Sequence, residues 1–438
     1  MEYYSNKNVI LYNGKMQEVL PKFIKDNSID SIVTDPPYEL NFMNKGWDNS
    51  GVAFQKETWE HCFRILKEGG YLLAFGGSRT YHRIACAIED AGFEIRDTIM
   101  WLYGSGFPKS MNIGLAIDKK EGLQSQRGVG GFNVSGLQEQ QNRKAKLHIG
   151  STTDGSKQPA YTDYKSDLAK KWAGWGTCLK PAYEPIIVAR KPFKGSLVDN
   201  VIANGVGGLN IDECRVAFNG DKWNAQKSGK SSRAFQSEET TTAGGECVAN
   251  DLGRFPANVI LTYDENDFDE VCGGFPSEKG NSASRYFYCA KASKKDRDEG
   301  LDEFEEKFPA SAEFRPNHME KALKGEDGNP YGRWKPRQNI HPTVKPTDLM
   351  QYLVRLVTPA NGVILDPFMG SGSTGKAVMY ENNEKNKNYS FIGVEMTKEY
   401  LPITKARIYY AQYGKVLDKQ EKKQEQQQQL TLFDFIGE

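Results

Sequence analysis

The sequence predicts an α/β fold, and three observations carry that prediction. Over the first hundred residues, short apolar runs of strand character alternate with amphipathic stretches of helical period. The same alternation returns near the end of the chain. Between the two lies a long stretch of different texture, rich in Gly, Ser, Asn and Lys and poor in periodic runs.

Taken in order, NVILYN, SIDSIVTD, YLLAFGG and FEIRDTIMWLYG read as strands, with the amphipathic AFQKETWEHCFRILKEGG among the helical segments between them. Near the end, TDLMQYLVRLV reads as a helix, VILDPF as a strand, STGKAVMYE as a helix, YSFIGVE as a strand and TKEYLPITKARIYYAQY as a helix. These segments predict one sheet domain in two parts, residues 1–103 and 339–414. Residues 104–182 form the first part of an insert and residues 196–338 the second. Between them YEPIIVARKP, within 183–195, reads as a core strand returning to the sheet. SRYFYCAKASKKDR and GRWKPRQ in the insert mix basic and aromatic residues, which suits phosphate contact and base stacking and equally an ordinary solvated surface. Residues 415–438 form a charged, Gln-rich tail with no apolar face until its last turn of sequence.

At 438 residues the chain can bury a large core and carry a second lobe. Lys plus Arg and Asp plus Glu both number 57, so any affinity for a polyanion must come from local patches. The start, MEYYSNKNVI, lacks the basic and apolar regions of a signal peptide, and no apolar run approaches the roughly 20 residues of a membrane helix. A cytoplasmic protein with no membrane partner is expected. Cys62, Cys86, Cys178, Cys214, Cys247, Cys272 and Cys289 are scattered without a CxxC pair, so reduced thiols and no metal site are expected.

The first constellation is Asp35-Pro36-Pro37-Tyr38, directly after the strand that ends in Ile32-Val33-Thr34. It sets an acid, two rigid residues and an aromatic ring at the carboxyl edge of the sheet, where α/β folds bind ligands. Successive prolines fix the backbone and remove two amide donors, which leaves carbonyl oxygens free as acceptors. The Asp35 carboxylate and the Pro36 carbonyl can then grip the two hydrogens of an amine whose lone pair is delocalised into a ring. That grip localises the lone pair for attack, with Tyr38 stacking on a base turned out of its helix. A plain strand-to-loop turn would use the same residues.

The second constellation is Asp366-Pro367-Phe368-Met369-Gly370-Ser371-Gly372-Ser373-Thr374, between a strand and the helix that begins near Thr374. Its glycines let the backbone approach a ligand closely. A further strand ends in Glu395, at the spacing where a carboxylate grips ribose hydroxyls. Residues Gly370 to Lys376 also match the phosphate-loop pattern GxxxxGK, which would make the chain an ATPase. Ala377 stands where that pattern needs Ser or Thr for magnesium, and Asp366 would repel a triphosphate.

Together these motifs resemble the amino-methyltransferases of DNA, in the permuted β group where the amine motif precedes the cofactor motif. His341-Pro342-Thr343-Val344-Lys345-Pro346 resembles the segment that leads into the cofactor loop of that group. The resemblance covers about residues 1–103, 183–195 and 340–413 and implies a Rossmann-like, S-adenosylmethionine-dependent methyltransferase sheet with a large, loop-rich inserted target-recognition region. It implies Asp35, Pro36, Pro37 and Tyr38 as catalytic residues. It implies Asp366, Pro367, Phe368, Gly370, Ser371, Gly372, Thr374, Glu395, His341, Thr343 and Lys345 as cofactor contacts, with double-stranded DNA as partner. Asp at the head of the first motif favours adenine over the cytosine amine. One departure is Lys15 after Gly14, where the family usually has an acid that contacts the cofactor. Lys45-Gly46-Trp47-Asp48 offers a loop that could close over the base or merely pack on the insert. Gln429, Leu430, Leu432 and Phe433 resemble the peptide by which bacterial replication proteins dock on the sliding clamp, a segment that could instead fold back on the chain. A third reading is a protein that occupies DNA or the clamp without turnover.

Overall fold

The computed structural model describes residues 1–40, 50–103, 110–128, 161–216, 253–262, 287–288, 292–307 and 336–417. The loop around Trp47 and the segment Gln429 to Phe433 lie outside the described residues, as do Cys247, Cys272 and Cys289. The chain divides into two compact units, Met1–Gly104 with Tyr183–Glu438, and Ser105–Ala182.

The larger unit is built on strands β1 (Glu2–Ser5), β2 (Val9–Asn13), β3 (Ile29–Thr34), β4 (Leu66–Phe75) and β5 (Glu94–Tyr103). In the smaller unit β6 (Gln126–Gly128) and β7 (Tyr161–Asp163) make a separate antiparallel pair. The larger unit continues with β8 (Tyr183–Arg190), β9 (Val259–Thr262), β10 (Phe287–Tyr288), β11 (Val363–Asp366) and β12 (Ser390–Glu395). The resulting 10-stranded sheet has the order β1-β2-β12-β11-β3-β4-β8-β5-β9-β10.

Every residue of β3 is buried, as a strand covered on both faces requires. Along the central strands the side chains alternate between two cores. Val33, Leu73, Phe75, Ile364 and Phe391 enter one, while Ile32, Leu72, Ala74, Leu365 and Val394 enter the other. Helices α1 (Met16–Phe23), α2 (Lys56–Ile65) and α3 (Tyr81–Asp90) cover the second face through Leu20, Trp59, Ile65 and Ile84. The smaller unit holds α4 (Ile113–Lys120) and α5 (Asp167–Lys171), tied by the buried Asp118, which accepts from the backbone of Lys165 and Ser166. Helix α6 (Leu197–Asn204) begins on a Ser196 capping box, and α7 (Lys294–Asp298) follows in the second insert. Helices α8 (Thr347–Val357), α9 (Ser373–Lys385) and α10 (Leu401–Tyr413) cover the first face through Leu349, Leu353, Val378 and Ile408.

The α/β fold expected from the alternating segments is therefore present, with differences of detail. Strand β4 begins at Leu66 and runs through Gly69 and Gly70, because α2 already ends at Ile65. Strand β8 lies antiparallel between β4 and β5. Within the loop-rich stretch, apolar Val259–Thr262 adds to the sheet as β9, parallel to β5.

The sheet order positions the site. Strands β11 and β3 are parallel neighbours, with β12 beyond β11 and β4 beyond β3. The two connections thus run to opposite sides, α9 covering one face and α2 the other, and a crevice opens past the strand ends where they part. Asp35 follows β3 and Asp366 ends β11, so both motifs flank that crevice.

Candidate active site

On the β3 side, Lys345 Nζ donates to Asp35 Oδ2 at 2.5 Å and lies 3.6 Å from Glu184 Oε2. The Tyr38 hydroxyl donates to the same Glu184 oxygen at 2.7 Å, and Tyr103 also hydrogen-bonds Glu184. Asp35 Oδ1 is buried and has no hydrogen-bond partner. Burial would lower the pKa of Lys345, but Asp35 and Glu184 outweigh it and hold the ammonium above its ordinary value. Burial pushes the Tyr38 hydroxyl well above its usual range, and the charges of Asp35 and Glu184 add to the effect. The Lys345 ammonium stands 5.3 Å from the centre of the Tyr38 ring and 5.0 Å from that of Phe75. Thr80 Oγ1 fixes the Tyr38 carbonyl at 2.8 Å. Pro36 is buried and Pro37 half-buried beside it.

On the β11 side, the Asp366 carboxylate accepts three hydrogen bonds from within the fold. Oδ1 accepts from Thr34 Oγ1 at 2.6 Å and from the Phe368 amide at 3.1 Å, and Oδ2 accepts from Thr374 Oγ1 at 2.6 Å. Burial pushes its pKa up to about 6, against the pull of those donors. Asp366 and Thr374 therefore shape the turn. Pro367 is buried behind it, and Phe368 is half-buried with its ring 6.3 Å from that of Trp59.

The turn itself needs glycine. Gly370 and Gly372 adopt φ 54° and 76°, and a Cβ on Gly372 would stand 2.6 Å from Thr404 Cγ2. A Cβ on Gly370 would meet His341 Nε2 at 2.8 Å, so His341 lies against the turn. Burial, with Lys345 and Arg407 nearby, lowers the His341 pKa to about 3 and keeps the ring neutral. Thr343 is exposed, and its amide approaches His341 Nδ1 at 3.4 Å. Glu395 closes the turn from β12, its two oxygens accepting from the Gly370 amide at 2.8 Å and the Thr397 amide at 2.6 Å. Gly14, just before Lys15, donates its amide to the Glu395 carbonyl at 3.0 Å, while Lys15 itself is exposed at the start of α1.

Among the described residues, those singled out from the sequence fall into two groups joined across the crevice, apart from the exposed Thr343. Asp35, Pro36, Pro37 and Tyr38 stand together with Lys345, which lies on the amine motif and forms its ion pairs there. Asp366, Pro367, Phe368, Gly370, Ser371, Gly372, Thr374, Glu395 and His341 surround the glycine turn. Four residues of the site were not singled out. Thr34 links the two groups, and Glu184 and Tyr103 back Tyr38. Arg407, fully buried, donates to the Ser371 carbonyl at 2.6 Å. Its signal was a charge on the buried face of α10, beside Ile403, Thr404 and Ile408.

Lys376 corrects the phosphate-loop match. Its side chain is 1% exposed, with Nζ 2.9 Å from Asp296 Oδ1 and 2.8 Å from Glu299 Oε2. A lysine neutralised beneath the turn by two carboxylates does not reach a phosphate above it. Among the described residues, no group of three or more His, Cys, Asp or Glu could hold a metal ion, and no helix is long and apolar enough to cross a membrane.

Comparison with known proteins gives the family. Residues 29–406 match the DNA methylase family. The type II methyltransferase M2.DpnII of Streptococcus pneumoniae is 40% identical over 242 residues, 47% of this chain and 84% of that one. The type II methyltransferase M2.LlaDCHI of Lactococcus lactis subsp. cremoris is 26% identical over 236 residues, 47% of this chain and 81% of that one. The solved M1.HpyAVI complex with S-adenosylmethionine is 16% identical with a TM-score of 0.35, covering 91% of this chain and 99% of that one. With its family match spanning both motifs and the strands that carry them, the chain belongs to the N6/N4 DNA methylases.

Proposed function

We propose that this chain methylates the exocyclic amine of a base flipped out of duplex DNA, and that the base is adenine. The observation that carries the reading is Asp35 Oδ1, a buried carboxylate oxygen without a partner beside one that Lys345 occupies. An unpaired buried acceptor costs about 1–3 kcal/mol unless a ligand satisfies it. An amine hydrogen supplies that bond, and the Pro36 carbonyl takes the other. Adenine is favoured by the Asp and Tyr that open and close the motif.

In this reading the cofactor is S-adenosylmethionine, which when bound would supply a methyl group on a positively charged sulfur. The residues fit such a group, since Glu395 stands at the end of β12 against the glycine turn, where a carboxylate can accept from ribose hydroxyls. Gly370 and Gly372 let the turn close against His341 and Thr404, and Asp35 and Asp366 favour a cation near the strand ends. A bond from the amine nitrogen to the methyl carbon would form as the carbon–sulfur bond breaks and leaves a neutral thioether. The nitrogen would then be positive, and Asp35 Oδ1, a buried acceptor without a partner, could take the proton it must lose.

The charge distribution supports a DNA partner. Residues Ser105–Ala182 hold twelve Lys and Arg against six Asp and Glu, which leaves 45 and 51 of the 57 of each kind for the rest. A chain of zero net charge therefore carries its positive field on one unit. Its described surface includes exposed Lys119, Lys120, Lys170 and Lys171, and Trp175, 60% exposed, packs edge-on with Trp172.

Sequencing that reports modified bases, on DNA from cells expressing the chain or its Asp35→Ala variant, tests the reading. N6-methyladenine at one recurring sequence, lost in the variant, is expected. N4-methylcytosine would overturn the choice of base, and unmodified DNA would overturn the activity.

A further inference from the structure

Glu184 is the acid of β8 nearest the crevice, on the strand that runs against the direction of its neighbours β4 and β5. Resting on the methyl-transfer reading above, we propose that Glu184 is a positioning residue for the reaction, acting through Lys345 and Tyr38 to set the Asp35 carboxylate and the aromatic ring. The physical case begins with reach. Lys345 carries a flexible four-carbon stem and a compact charge, and such a side chain has no fixed seat of its own. Here the ammonium is held between Asp35 Oδ2 at 2.5 Å and Glu184 Oε2 at 3.6 Å, with its side chain 8% exposed.

Two acids about one ammonium leave the cluster with a single net negative charge. Without Glu184 the cluster would be neutral, and it would favour a nitrogen that becomes cationic less strongly. The second link is to Tyr38. Its hydroxyl donates to Glu184 at 2.7 Å, and its carbonyl accepts from Thr80, so both ends of the residue are fixed. A ring pinned at both ends is ready to stack without first losing rotamer freedom. Tyr103 adds a further hydrogen bond to Glu184 from the end of β5. Glu184 thus joins β8 and β5 to the loop after β3 and to the segment that precedes α8.

Both links depend on the carboxylate, so Glu184→Gln keeps the volume and an acceptor for Tyr38 while removing the charge that seats Lys345. With donor and duplex saturating, the variant is expected to lower kcat by about 10- to 100-fold. The dissociation constant for S-adenosylmethionine should stay within about twofold, because Glu184 belongs to the amine side of the crevice. Tyr38→Phe should lower kcat in the parent and much less in the Glu184→Gln background, since the hydroxyl then has no charged partner to hold it.

A second readout is independent of turnover. The titration of Lys345, followed by NMR of lysine-labelled protein and assigned with Lys345→Arg, should shift to lower pH in Glu184→Gln. A kcat within twofold of the parent, an unmoved Lys345 titration, or a loss matched by weaker donor binding and a lower melting temperature would each overturn the proposal. A parent chain that methylates no duplex, yet shows the Lys345 shift, would refute the methyl-transfer reading and leave the ion cluster standing.

Discussion

Thr34 Oγ1 donates a 2.6 Å hydrogen bond to Asp366 Oδ1, joining the last residue of β3 to the last residue of β11. Asp35 follows directly in the chain on one side and Pro367 on the other. The spacing between amine motif and cofactor turn is therefore fixed where the two strands end. Thr34→Val keeps the shape and removes the donor, leaving a fully buried carboxylate one hydrogen bond short. The expected outcome is a loss of about 1.5–3 kcal/mol in denaturant unfolding and weaker donor binding in calorimetry. Unchanged values of both would show that the neighbouring strands set the spacing without this bond.

Asp366 also makes stability depend on pH. Its folded pKa, about 6, lies above the ordinary value of 3.8, so burial opposes the charge more than its three donors favour it. Below 3.8 the group is neutral in both states and no penalty applies. As pH rises through about 6 the folded chain must carry a buried charge, and stability falls by an amount on the order of 3 kcal/mol before levelling off. Asp366→Asn mimics the neutral form. It should melt higher than the parent at pH 7.5 and lose that advantage as pH falls toward 4, while methyl transfer drops because the turn is held less firmly. Melting curves across that range check the sign, and a variant less stable at pH 7.5 would contradict it.

The framework and both motifs were legible because they are local. Short runs of strand character mark β3 and β11, Pro-Pro and Gly-rich turns punctuate their ends, and α8 begins and ends where TDLMQYLVRLV does. What could not be read is what the fold brings together from afar. Lys345 lies 310 residues from Asp35 in sequence, and nothing in His341 to Pro346 says that its lysine reaches the amine motif and not the cofactor turn. Glu184 sits at the half-buried start of a strand, where an acid is usually solvated. Asp366 reads from the sequence as a ligand contact because acids at strand ends often are; that its oxygens also accept from Thr34 and Thr374 depends on contacts the sequence does not show.

Lys376 decides between the two readings of the glycine turn. Its ammonium satisfies Asp296 and Glu299, and Asp296 in turn accepts from the Thr347 amide at 3.1 Å. One lysine thereby ties α7 to α8 and α9 beneath the turn. Lys376→Ala would leave two acids without their cation in a largely dry site, with an expected cost of about 3–5 kcal/mol in urea unfolding. Magnesium-dependent ATP hydrolysis should be absent from parent and variant alike. A parent that hydrolyses ATP, and a variant that folds as stably but does not, would restore the phosphate-loop reading.

The positive unit Ser105–Ala182 makes a prediction that does not depend on the chemistry of the crevice. Lys119 and Lys120 end α4, Lys170 and Lys171 end α5, and all four are exposed. Of these, Lys170 has an exposed partner, Asp167 at 3.1 Å, and such pairs are weak enough to yield to a phosphate. Each phosphate a lysine neutralises releases counterions and steepens the salt dependence of binding by about 0.9 in the log–log slope. Replacing all four by Gln should weaken duplex binding about equally across sequences and flatten that slope, with the melting temperature little changed because the side chains carry no core packing. Filter binding or fluorescence anisotropy over a salt series measures both. An unchanged slope would mean that these lysines do not touch the DNA backbone and that the charge asymmetry of the chain has another cause.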